Sequence, residues 1–127
     1  MYSYKKQING SFEEVVEKTK QALKNEGFGV LTEIDVKDTL KKKLDIDYED
    51  YIILGACNPH FAYKALQAEK EIGLMLPCNV IVYKQDNSVF VSTILPTIAM
   101  SSVDNPELKG IAEEVELKLK KVVDFIL

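Results

Sequence analysis

The spacing of apolar residues divides the chain into strands and amphipathic helices with little left over. Tyr2 to Ile8 is short, starts with aromatic residues and predicts a first strand. Asn9-Gly10 breaks it, and Ser11 followed by Glu13-Glu14 opens a helix with acids in its first turn. Phe12, Val15, Val16, Thr19, Ala22 and Leu23 recur at steps of three and four, one buried face, and Gly27 stops the helix. Alternation over Phe28 to Ile34 predicts a second strand, and Val36, Leu40 and Leu44 mark one side of a short helix over residues 35–44.

Tyr51 to Leu54 is a continuous apolar run, which predicts a strand buried on both faces. It delivers Gly55-Ala56-Cys57 to a helix start, with Asn58 as N-cap and Pro59 at the first helical position. Phe61, Ala62, Ala65, Leu66, Glu69 and Ile72 share a helical face, and Gly73 ends it. A strand within Leu74 to Lys84 turns at Asp86-Asn87-Ser88 and returns through Val89 to Ile94. Pro96 breaks that strand, and Thr97 to Val103 is a connection. Asn105-Pro106 then caps a last helix whose buried face runs from Leu108 to Ile126. No repeat or linker interrupts the pattern, so residues 1–127 form a single domain.

Composition narrows the function more than the fold. The 127 residues are 46% hydrophobic and 28% charged, the balance of an ordinary globular protein. The net charge is -4 and all 16 basic residues are lysine. Without arginine there is no planar fork for phosphate or guanine, which argues against sequence-specific nucleic-acid reading. No run approaches the roughly 18 apolar residues of a membrane span. The amino terminus lacks the apolar core of a signal peptide, so a cytoplasmic location and reduced thiols are expected. Lys41-Lys42-Lys43 reads as a solvated helix end favoured by the dipole. The acids at Asp45, Asp47, Glu49 and Asp50 lack the glycine and twelfth-position acid of a calcium loop.

The candidate chemistry lies in two Cys-Asn motifs, Gly55-Ala56-Cys57-Asn58-Pro59 and Leu76-Pro77-Cys78-Asn79-Val80. Cys57 directly precedes a helix start, where free amides and the dipole favour a thiolate, yet a cysteine there equally serves as a small buried hydrophobe. Cys57, His60 and Cys78 are weak candidates for zinc, since structural sites normally supply four ligands. Glu69 is a carboxylate on an apolar stripe. It either reaches water or a backbone amide at the margin, or points at the thiols as base or ligand. Cys57, Asn58, Glu69, Cys78 and Asn79 are therefore the expected ligand-binding set of a small binding or sensor domain. A thiol enzyme or sulfur carrier using Cys57 and Cys78 is the alternative; a purely structural or dimerisation role, with Asn58 and Asn79 satisfying backbone at two strand ends and the cysteines merely packing, is another.

These motifs, with Ala62, Ala65-Leu66, Glu69, Ile72-Gly73-Leu74, Asp35-Val36-Lys37, Thr39-Leu40-Lys41 and Asn105-Pro106-Glu107-Leu108, resemble the signature of the prokaryotic domain of unknown function 302. The resemblance covers nearly the whole chain. It implies an α+β fold in two layers, an antiparallel sheet packed on helices in a β-α-β4-α-like order with extra short helices, and a homodimer. It implies no reaction. The sequence departs from the pattern at Lys70, where proline is common, and at Asp45, where glycine is usual; His60 lies outside the signature.

Overall fold

The computed structural model describes residues 1–126. Five strands, β1 (Ser3–Ile8), β2 (Gly29–Asp35), β3 (Tyr51–Cys57), β4 (Cys78–Gln85) and β5 (Ser88–Ile94), form one sheet in the order β1-β5-β4-β3-β2. Every neighbouring pair is antiparallel. The helices are α1 (Phe12–Asn25), α2 (Val36–Leu44), α3 (Pro59–Ala68), the short α4 (Pro96–Ala99) and α5 (Pro106–Asp124), with a 3-10 segment over Lys70–Met75. The architecture is the two-layer α+β arrangement that the sequence predicts. Among the described residues, no helix is long and apolar enough to cross a membrane.

Strand period and helix period meet in one core. Leu54 on β3, Val80 and Val82 on β4, and Val91 on β5 alternate onto the sheet face that receives Val15 and Leu23 of α1 and Leu119 and Val123 of α5. All eight are fully buried. The opposite face carries a cross-strand aromatic row. Tyr51, Tyr83 and Phe90 lie in register, with ring centroids 5.5 and 5.3 Å apart. That face is half-covered, not enclosed: Tyr51, Ile53, Ile81, Tyr83 and Phe90 all keep some exposure, and Ile34 beside them is exposed.

Local chemistry sets the element ends. Ser11 accepts from the Glu14 amide at 3.2 Å and caps α1. Gly27, at φ +86°, closes that helix: its amide bonds the Lys24 carbonyl, and the Phe28 amide bonds that of Leu23. Asp86 and Asn87, at φ 50° and 68°, make the two-residue turn between β4 and β5. Asp45 also lies in the left-handed region, at φ 53°, where it ends α2. β2 carries a register shift between Val30 and Thr32.

Three boundaries differ from the sequence expectation. β3 continues through Gly55-Ala56 to Cys57, because Ala56 and Gly55 pair with Cys78 and Asn79 on β4. α3 ends at Ala68, and Ile72 reaches the core from the 3-10 segment instead. The expected connection after Ile94 contains α4, with Pro96 at its first position.

Candidate functional site

The two Cys-Asn motifs meet at one end of the sheet. Ala56 pairs with Cys78 and Gly55 with Asn79, so Cys57 stands at the tip of β3 beside the start of β4. The close approach depends on Gly55. A Cβ there would collide with the Thr32 hydroxyl and come within 2.8 Å of the Pro77 ring. Glycine is required because neighbouring side chains already occupy the space.

Beneath this junction lies a small cavity of about 40 Å³. Ala56, Cys57 and Cys78 bound it from the sheet, Phe61, Ala62 and Ala65 from α3, and Leu108 and Ala112 from α5. Pro77 and Met100 complete the rim. The alanines on α3 and α5 leave space that larger side chains would fill. No charged residue lines the cavity. A hollow of this size admits one ion or a few water-sized groups, far less than the roughly 300 Å³ or more of an ordinary ligand pocket.

The thiols differ. Cys78 is buried, and that burial, followed by the nearby Cys57, raises its pKa from 9.0 to about 11. It is a neutral thiol at physiological pH. Cys57 is half-exposed, and neither cysteine is in a disulfide.

The remaining expected site residues distribute around this centre. Asn58 is buried at the cavity wall and holds the N-cap position of α3, but makes no side-chain cap. Its amide donates instead to the Glu26 carbonyl at 3.4 Å, tying the end of α1 to the start of α3. Asn79 is exposed and lines an adjoining hollow with Met75, Cys78 and Met100. Glu69 is not among the residues of the cavity wall. It accepts from the Asn105 side chain at 3.2 Å, a partner neither sequence alternative named. His60 is exposed on the first turn of α3 and also lies outside the cavity wall. Among the described residues, no group of three or more His, Cys, Asp or Glu side chains is placed to hold a metal. The weak zinc set Cys57, His60 and Cys78 is therefore not assembled here.

Sequence reasoning missed Met100. It lines the thiol cavity, the Asn79 hollow and a third, open groove of about 690 Å³ between the α4 turn and α5. No local pattern links position 100 to positions 57 and 78; only the return of the chain through β5 brings them together.

Fold and site together define a two-layer α+β domain with an apolar, thiol-bearing cavity where two strand ends meet two helices. The chain belongs to the family described as domain of unknown function DUF302, whose pattern it matches over residues 4–126. It is similar to the crystal structure of an uncharacterized conserved DUF302 protein from Bacillus stearothermophilus. The two are 30% identical, with a TM-score of 0.94 over 100% of this chain and 99% of that one. None of the curated proteins matches this chain.

Proposed function

We propose that this chain is a cytoplasmic binding domain that takes a ligand of a few atoms in the cavity between Cys57 and Cys78. The observation that carries the reading is the wall itself, two cysteines and the buried Asn58 among otherwise apolar, uncharged residues. A cavity kept open by alanines on two helices is otherwise a packing defect with a cost in stability. Asn58 lines the cavity and Asn79 the adjoining hollow, while Glu69 is held by Asn105 outside the cavity wall.

Binding ranks above thiol catalysis because no acid or imidazole lines the cavity to serve as a base, and Cys78 holds its proton. The homodimer implied by the family resemblance would use the outer sheet face, where Ile34 and Tyr48 are exposed beside the aromatic row. Native mass spectrometry of protein purified under reducing conditions tests both parts. The expected result is an added mass on a dimer, absent from Cys57→Ala. A ligand-free chain from every preparation, with Cys57 alkylated as fast as a small free thiol, would remove the binding reading.

A further inference from the structure

Sulfur is not scattered through this molecule. The chain has two cysteines and three methionines. Cys57, Cys78, Met75 and Met100 line the thiol cavity and the hollow that adjoins it, leaving only Met1 elsewhere. Cys78 and Met100 are common to both spaces. We propose that Cys57, Cys78 and Met100 form a binding site for a soft monovalent d10 cation, copper(I) or its silver(I) analogue. The assignment rests on the cavity being a ligand site and names the ligand's class.

Three properties of the site select this class. The first is donor type: the residues lining the cavity include two cysteines and a methionine and no carboxylate or imidazole, and sulfur donors of this kind favour copper(I) over hard cations. The second is number. Zinc normally takes four ligands, whereas a soft monovalent ion is satisfied by two thiolates with a weaker thioether. The third is space, because about 40 Å³ holds an ion and excludes most organic molecules.

Charge and access also fit. Binding exchanges two thiol protons for one cation, so two protons pass to solvent and the site gains one negative charge, M⁺ + 2 RSH → [M(SR)₂]⁻ + 2 H⁺. Cys57 sits just ahead of the ten-residue α3, whose N-terminal amides favour that charge. Met75 is 37% exposed and lines the adjoining hollow, which shares Met100 and Cys78 with the cavity. An ion entering through that hollow would meet thioethers as well as thiols.

The test is an anaerobic titration of the reduced full chain with the copper(I)–bicinchoninate complex. The expected result is one copper(I) withdrawn per chain, with two protons released and no displacement by excess zinc(II). Met100→Leu conserves volume and should keep the fold while weakening retention on the order of tenfold. Cys57→Ser should abolish it. Copper left entirely with bicinchoninate, or held equally by wild type and Cys57→Ser, would overturn the assignment. If copper stays with the competitor while native protein still carries a Cys57-dependent adduct, the soft-cation assignment fails and the binding reading stands. If neither copper nor an adduct is bound, both fail.

Discussion

Asn105 holds Glu69 in place: its side-chain amide donates to the Glu69 carboxylate at 3.2 Å and to the Ala68 carbonyl at 2.7 Å. The same side chain accepts from the Glu107 amide at 3.1 Å, capping α5. One residue thus ties off the end of α3 and the beginning of α5, the two helices that wall the cavity. Asn105→Ala removes a cap and leaves a half-buried carbonyl without its partner. We expect a loss of about 1–2 kcal/mol in urea unfolding. Asn105→Asp should recover the cap alone, and equal stability of the alanine and wild-type proteins would contradict this role.

Gly55 allows a second test. Gly55→Ala should destabilise the fold by about 1–3 kcal/mol, because the new methyl meets both Thr32 and Pro77. Thr32→Ala removes the closer obstacle, so the double variant should recover part of the loss. Additive effects in the double-mutant cycle would show that the two positions do not compete for space.

Asp45 carries a testable cost. It adopts φ 53° at the end of α2, a conformation glycine enters without penalty. Its ion pair with Lys41 at 2.9 Å is largely exposed and contributes little. Asp45→Gly should therefore raise stability by about 0.5 kcal/mol, after allowing for the greater freedom of glycine in the unfolded chain. A lower thermal midpoint would show that the ion pair outweighs the backbone.

The buried thiol predicts a pH dependence. Cys78 titrates near 11 in the folded protein because of burial and then the nearby Cys57, against 9.0 for an ordinary thiol. Its contribution is fully present below pH 9.0 and is lost as pH rises toward about 11, since the unfolded chain releases its proton first. The shift corresponds to a loss on the order of 2–3 kcal/mol across that window. Lysines and tyrosines titrate there too, so the measurement is the difference between wild type and Cys78→Ala. Parallel stability curves for the two proteins would remove Cys78 as the cause.

The strands were legible wherever apolar periodicity was strong. Val80, Val82, Val89 and Val91 alternate without interruption, and sheet and sequence agree there. The end of β3 was not legible, because Gly55-Ala56 has no strand propensity and pairs only when β4 is present. Ile72 fits the phase of α3 yet belongs to the 3-10 segment, since a step of three residues from Glu69 suits either helix. Of the residues that line the cavity, Cys57, Asn58 and Cys78 stand out in the sequence through their shared motif. Met100 and the Asn105–Glu69 bond were not, because they depend on contacts between positions more than 20 residues apart, for which local spacing carries no signal.

The register shift in β2 also bears on how the molecule meets its neighbours in a crowded solution. β1 and β2 are the outer strands, and each leaves one row of backbone donors and acceptors unpaired by the sheet. The irregularity between Val30 and Thr32 divides the β2 row, and Lys5 and Lys6 put charge on β1. Neither margin presents a long, flat, uncharged template on which another chain could continue the ladder. The edges of the sheet thus disfavour open-ended fibre growth.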